Sequence, residues 1–296
     1  MCRKSYSTKM RIYAKISNGR RCCFIRLPYV PENVYFCKKI IGMLPNDKNI
    51  ALQTLIDQYR DQTKNVLDLE RLSMYAITYH STAIEGSSLT ESEVINLLDT
   101  DRPARNKDFR DNLMVFDHYN AMLFVHENAL GKKKISEDFI KQISALVMKN
   151  TGKEYNTVYG SFDSGQGEYR LLNVHAGTRR FPDCKKVQPL MAEFVAYIND
   201  EMSNADVDPI RLSFDVHFKF VSIHPFADGN GRVSRLLMNY ILAYYGLPMF
   251  MVFKQDRLKY IDALESARNN EDMDLFYGFM YKQYMKFLKK EIKNKK

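Results

Sequence analysis

Between Ser222 and Tyr245 the chain reads SIHPFADGNGRVSRLLMNYILAYY. His224, Asp228, Gly229, Asn230, Gly231, Arg232 and Arg235 are residue types suited to phosphate chemistry, at spacings that can bring them together. The apolar positions that follow, Val233, Leu236, Leu237, Tyr240, Ile241 and Tyr244, recur with a helical period. Gly246 and Pro248 supply a stop signal. The glycine pair therefore sits where a loop becomes a helix. There the first backbone N–H groups lack intrahelical partners and the dipole is positive, so an anion such as a phosphate is favoured. Gly229 and Gly231 let the backbone approach a phosphate closely. Arg232 and Arg235, one turn apart, can fork onto phosphate oxygens. Asp228 offers a hard oxygen for Mg²⁺, which binds through one or two carboxylates plus substrate phosphates. His224 is the natural proton acceptor near neutral pH. A lone histidine is more often structural, but its setting just ahead of Asp228 and Asn230 favours a chemical role.

The elements that must hold this loop read as helices. Asp208 and Pro209 form an N-cap followed by proline at the first helical position. The helix they open carries Ile210, Phe214, Phe218 and Val221 on one face and ends at His224, so the loop is mounted between two buried helices. Further upstream the pattern is helical from Ile50 to about His80, with Leu52, Leu55, Ile56 and Tyr59, then Leu69, Leu72, Ala76 and Tyr79, on one face. Its end reads Ser81-Thr-Ala-Ile-Glu85-Gly86; Ser81 and Glu85 share a face, and Gly86 is a C-terminal stop. Thr90 to Glu93 is a capping box opening a helix with Val94, Ile95, Leu97 and Leu98. Residues 101–107 form a polar break. Beyond it a helix is expected with Leu113, Phe116, Tyr119 and Leu123 on its buried face. Ser136 caps another, bearing Ile140, Ile143 and Val147. Residues 155–167 break the helical pattern, and short β-prone pieces flank His175-Ala176-Gly177. A helix is predicted from Pro189, with Leu190, Phe194, Val195 and Ile198. Residues 257–276 read as helix, loop, helix. Two β-prone runs around Asn18-Gly19 predict an extra hairpin in residues 10–27, with no chemistry attached.

The stretch from His224 to Arg235 resembles the Fic family signature, H-P-F-x-[D/E]-G-N-G-R-x-x-R, at every specified position. The resemblance implies a mainly α fold, a Fic-type helical bundle with a small β-hairpin flap. It also implies transfer of AMP from ATP, with Mg²⁺, to a Tyr, Thr or Ser hydroxyl of a target protein. On that basis His224 is the catalytic base, Asp228 the metal ligand, and Asp228 through Arg235, Val233 and Ser234 included, the nucleotide-binding stretch. Ser81 to Gly86 resembles the family's inhibitory motif, [S/T]-x-x-x-E-[G/N], placed ahead of the core, so Ser81, Glu85 and Gly86 are expected to restrain the enzyme through Arg235. Val174, His175, Ala176 and Gly177 resemble the flap, whose edge aligns a target segment by strand pairing; His175 is expected at its surface. Tyr260 is the expected residue on the adenine side, alternatively a core tyrosine. The likeness implies residues 1–48 as an extension of unknown role, 49–104 as a helical region with the inhibitory motif, 105–285 as the catalytic domain and 286–296 as a basic tail. Self-modification is a further expectation, and a homodimer is left open.

Composition bounds the alternatives. The 296 residues are 45% hydrophobic, enough for a sizeable core without tryptophan. The net charge of +9 and pI near 9.1 permit acidic partners. Much of that excess is the tail KFLKKEIKNKK, and no zinc-finger, KH or RRM signature is present, which argues against nucleic acid. The five cysteines, Cys2, Cys22, Cys23, Cys37 and Cys184, form no C-x-x-C pair, so free thiols in a reducing compartment are expected rather than zinc. No run is long enough to span a bilayer and the basic N-terminus lacks the apolar core of a signal peptide, so a soluble cytoplasmic protein is expected. No P-loop occurs. Other readings within the resemblance are removal of AMP or transfer of another phospho-group; Gly231, where phosphorylating relatives carry lysine, favours AMP. Outside it stands a non-catalytic nucleotide-sensing or nucleic-acid-binding module.

Overall fold

The computed structural model describes residues 46–63, 69–177, 179–269 and 272–293. The hairpin expected around Asn18-Gly19 lies outside them, as do four of the five cysteines. Among the described residues there are ten α-helices and two short antiparallel hairpins: α1 (Asn46–Thr63), α2 (Leu69–Ile84), α3 (Glu91–Thr100), α4 (Phe109–Leu130), α5 (Glu137–Val147), β1 (Glu154–Thr157), β2 (Gly160–Asp163), β3 (His175–Ala176), β4 (Arg179–Arg180), α6 (Val187–Ser203), α7 (Pro209–Ile223), α8 (Asn230–Tyr244), α9 (Arg257–Asn269) and α10 (Asp274–Lys293). None of the described helices is long and apolar enough to cross a membrane.

The organising element is α8. It is buried on every side from Val233 to Ala243, which marks a helix at the centre of a core rather than at its edge. It packs mainly against α7 and α4, with α5 and α2 completing its surroundings. Its polar residues are satisfied locally: Asn239 exchanges two hydrogen bonds of 3.0 Å with the backbone of Phe250, as a buried amide must.

The caps read from the sequence set the helix starts. Thr90 Oγ1 accepts from Glu93 N at 3.3 Å while Glu93 Oε2 accepts from Thr90 N at 2.7 Å. Ser136 caps α5, and Asp208 caps α7 with Pro209 in the first turn. Two helix faces differ from expectation. On α4, Phe116 and Leu123 are partly exposed, and Val115, Met122 and Val125 are buried instead. On α2, Leu72 is exposed while Met74, Ile77 and Thr78 point inward. In both helices the inward face carries polar residues with fixed partners. Asp117 takes hydrogen bonds from Asn150, Asn112 Oδ1 accepts from Ala104 N, and His118 Nδ1 lies 3.4 Å from Thr78 Oγ1.

Burial also holds several histidines neutral. It pushes the imidazole pKa of His80 and His217 down to about 3, that of His224 to about 4, and that of His118 well below its ordinary value. Below pH 6.5 the unfolded chain therefore binds protons that the folded chain refuses, so stability is lost as pH falls from about 6.5 toward 4. Burial raises the carboxyls of Asp117, Asp208 and Asp215. That acts in the opposite sense from the ordinary carboxylate range upward, so the histidine effect is cleanest at the neutral end of the range. Melting temperature measured by calorimetry should drop between pH 7.5 and pH 5.5; a flat profile would mean these rings are accessible to protons in the native state.

Candidate active site

The turn from His224 to Gly229 joins α7 to α8. His224 closes α7 in the left-handed region, φ 55°, ψ 58°, with its N–H on Phe220 O at 2.9 Å. A non-glycine residue there is strained. Asn230 braces the turn: its side chain accepts from Phe226 N at 3.0 Å and donates to Phe226 O at 2.8 Å. Gly229, at φ 81°, begins α8 with no side-chain cap. Its conformation needs glycine, and a Cβ there would press on Met148 Sδ at 3.0 Å. The first N–H groups of α8 are thus left to an external acceptor.

The His224 imidazole stacks on Phe181, ring centroids 3.8 Å apart and 19° between planes. Its Nδ1 is buried, and the backbone of Val221, one turn back in α7, favours the protonated ring against that burial. Phe181 lies just beyond the β3–β4 hairpin, and Arg179 covers its other face at 4.5 Å. Arg179 also reaches Glu265 on α9 at 3.1 Å, so the small hairpin is latched across the histidine. His175, Ala176 and Gly177 are exposed on that hairpin and Val174 is half-buried. A cavity of about 640 Å³ opens beside it, lined by Val174, His175, Gly177 and Phe181 among others.

The Ser81–Gly86 segment comes to the same place from α2. Arg235 is buried and donates through Nε to Ser81 Oγ at 2.9 Å, and through Nη2 to Ser81 O at 3.0 Å and to Glu85 Oε1 at 2.7 Å. Gly86, at φ 107°, turns the chain away after α2. Arg257 Nε caps the end of α2 on Ile84 O at 2.8 Å, and Lys254 N donates to His80 Nδ1 at 3.1 Å. Those bonds fix where Glu85 emerges. Its carboxylate lies over Gly231, where any added Cβ would collide with Oε1. An acidic side chain thus occupies the space above the start of α8.

Not every expected contact faces this space. Val233 is buried in the core with its N–H on Gly229 O at 2.9 Å, and Ser234 turns its hydroxyl back onto Gly231 O at 2.8 Å; neither faces this space. Arg232 is also buried, with Nη1 on Val147 O at 3.3 Å and Nη2 3.1 Å from Met148 Sδ. It ties the turn to the end of α5 rather than reaching outward. Tyr260 is buried too, with its hydroxyl 2.6 Å from His217 Nε2, on the side of the Arg235 guanidinium. That burial is what the core-tyrosine alternative expects. Asp228 Oδ1 accepts from Gly229 N at 2.6 Å and lies 3.6 Å from Arg232 Nη2, with about half of its side chain exposed. Among the described residues no group of three or more His, Cys, Asp or Glu could hold a metal. A single exposed carboxylate at the uncapped start of a helix fits Mg²⁺, which keeps waters and phosphates in its shell.

Two features had no expectation. The β1–β2 hairpin fills the segment read only as a break, with Val158 and Tyr159 exposed at its tip. Tyr155 on this hairpin feels the Asp228 carboxylate, which adds to burial in raising its phenol. Arg170, fully buried, binds the backbone around His224.

Residues 134–242 match the Fic/DOC family profile. The chain is 32% identical over 203 residues to a protein adenylyltransferase Fic of Culex quinquefasciatus, across 68% of this chain and 38% of that protein. It is 31% identical over 233 residues to the one of Aedes aegypti, across 76% of this chain and 44% of that protein. The chain therefore spans about two fifths of the curated relatives it matches. Among solved structures, a Fic domain containing signaling protein from Bacteroides thetaiotaomicron superposes with a TM-score of 0.71 at 22% identity, over 82% of this chain and 97% of that one. Fic-1 from C. elegans superposes with a TM-score of 0.68 at 26% identity, over 84% of this chain and 72% of that one. Helical bundle, small hairpin and signature loop thus agree with sequence similarity over the same region, and through its domain at residues 134–242 this chain belongs to the Fic/DOC family.

Proposed function

We propose that the chain is a protein adenylyltransferase, moving AMP from ATP to a Tyr, Thr or Ser hydroxyl of a target protein, and that Glu85 restrains it. The observation that carries this reading is the convergence of three things at the start of α8: an uncapped helix N-terminus, an imidazole at its edge, and an arginine held by a carboxylate where a phosphate would bind. The sequence relatives, named as protein adenylyltransferases, support the same activity.

In the reaction, the target hydroxyl oxygen attacks the α-phosphorus of ATP, the bond from that phosphorus to the bridging oxygen breaks, and pyrophosphate leaves. His224 accepts the hydroxyl proton. Its ring is neutral at pH 7 because burial lowers its pKa to about 4, so a lone pair is present without prior deprotonation. A phosphate anion nearby raises that pKa, which strengthens the base once nucleotide is bound. The N–H groups at Asn230 and Gly231 hold phosphate oxygens beside Gly229, and Arg235 holds the far phosphate once Glu85 releases it. Asp228 would hold Mg²⁺, which when bound neutralises charge on the phosphates. The target segment pairs along the exposed hairpin at His175–Gly177. Cys184 is buried and unpaired, in keeping with a reducing, cytoplasmic setting.

Mass spectrometry of targets and of the chain itself after incubation with ATP and Mg²⁺ tests the proposal. An added adenylyl group on a hydroxyl supports it. A phosphoryl adduct in its place, or no adduct from a Glu85-substituted chain in the native extract, would remove it. Loss of AMP from a premodified target would identify the reverse, hydrolytic activity instead.

A further inference from the structure

Arg170 lies at the root of the segment leading to the β3–β4 hairpin. It is a fully buried guanidinium, and its side-chain bonds run to backbone carbonyls. Nε donates to His224 O at 2.8 Å, Nη1 to Leu172 O at 2.8 Å and Nη2 to Pro182 O at 2.7 Å. Its own peptide N–H donates to Pro225 O at 3.0 Å. One residue thus grips two successive carbonyls of the catalytic turn and both stems of the hairpin.

Asp183 acts on this guanidinium only through space, and burial outweighs it; burying a cation with no carboxylate bonded to it is expensive, and hydrophobic residues of similar volume often serve stability as well or better. The arrangement therefore calls for a reason beyond packing. His224 supplies one. Its backbone sits in the left-handed region, which a histidine adopts only when its surroundings over-determine it. The Arg170 Nε bond falls on the carbonyl of that same residue. The bond to Pro182 O anchors the chain just after Phe181, whose ring stacks on the imidazole. Backbone and ring contact of His224 are thus both referred to one rigid fork. A nearby Asn173 reinforces the stems by accepting from Cys184 N at 2.8 Å and donating to Asp183 Oδ2 at 3.1 Å.

We propose that Arg170 is the positioning residue for His224: it fixes the direction of the imidazole and couples it to the hairpin on which the target docks. This rests on the assignment of His224 as the base. Arg170 touches neither nucleotide nor target, so its loss acts on the chemical step and spares nucleotide binding. Lysine keeps the charge but, as a single ammonium, cannot span three carbonyls in a fixed fork.

The test compares wild type with Arg170→Lys and Arg170→Gln by NMR of ring-labelled histidine, by calorimetry, and by kinetics in a Glu85→Gly background. In wild type the Phe181 ring current shifts the His224 ring protons upfield. Both variants should move them toward the free-histidine position. The transfer kcat should fall about 10- to 100-fold, the range expected for an ångström-scale misplacement, with the ATP Kd changed less than about threefold. Unchanged His224 resonances in a folded variant overturn the proposal. So does a parallel loss of ATP affinity and kcat, or failure of both variants to fold, since each marks Arg170 as a general fold residue. If the Glu85→Gly parent transfers no AMP, the adenylylation reading fails, while the resonances still decide what Arg170 does.

Discussion

Replacing His224 with alanine is expected to abolish AMP transfer and leave the fold intact. The two halves of that statement have different physical grounds. The fold half follows from what the imidazole holds: a stack on Phe181 and a contact with the backbone of Val221. Truncation removes one ring contact, worth about 0.5–1.5 kcal/mol, and one backbone contact at the edge of the site, a loss the buried helices on either side of the turn can absorb. The backbone bonds of His224, to Phe220 O and from Arg170, remain available to alanine. Alanine in a left-handed turn adds a modest strain of its own. The rate half follows from general-base catalysis, which contributes on the order of 10²–10⁴-fold. Transfer in wild type should also fall as pH drops through the imidazole pKa of the nucleotide complex, because the protonated ring has no lone pair to give. Incorporation from ATP labelled at the α-phosphate, read beside a melting curve, measures both halves. Equal labelling by the variant would remove His224 from the reaction.

The ease of locating His224 and the difficulty of locating Arg170 have one physical cause. Signals carried by consecutive residues survive in a sequence: the glycine–asparagine–glycine turn, the Thr90 capping box and the Asp208-Pro209 start all appear where local chemistry demands them. Signals carried by tertiary partners do not. Arg170 acts through backbone carbonyls, from Leu172 two residues on to His224 54 residues on, and carbonyls leave no mark in side-chain spacing. Arg232 looks like Arg235 in the sequence, yet it faces Val147 O and Met148 Sδ on α5, while Arg235 faces α2. The α4 face was mistaken because hydrophobic periodicity assumes that polar residues point outward. Asn112, Asp117 and His118 point inward, each to a specific partner, and Phe116 and Leu123 are displaced to the rim. The β1–β2 hairpin was missed because four-residue strands hold too little alternation to stand out from a polar loop.

Glu85→Gly is expected to raise self-labelling by about 100-fold and to make stability depend more steeply on ATP. Both effects come from the same 2.7 Å contact between Glu85 Oε1 and Arg235 Nη2. With the carboxylate present, the arginine that would take the terminal phosphate is already neutralised, and a second negative charge stands over Gly231. A triphosphate can then enter only displaced from the cradle. Displacement of about 1 Å from in-line geometry costs roughly 10²-fold in rate, which sets the size of the expected gain. Removing one partner of a fully buried pair costs about 3–5 kcal/mol. Here Glu85 is 34% exposed, and Arg235 keeps its bonds of 2.9 and 3.0 Å to Ser81, so the destabilisation should be smaller. Without ATP the variant should melt below wild type. With ATP it should recover, because a phosphate oxygen replaces the lost carboxylate, and ligand bound only to the native state stabilises by mass action. Ser81→Ala offers a graded comparison. It removes the Nε bond but leaves the Glu85 pair, so it should loosen Arg235 without releasing the triphosphate site, and labelling should stay near wild type. Equal labelling by wild type and Glu85→Gly, or an ATP-induced melting shift no larger in the variant, would show that the carboxylate over Gly231 does not exclude the triphosphate.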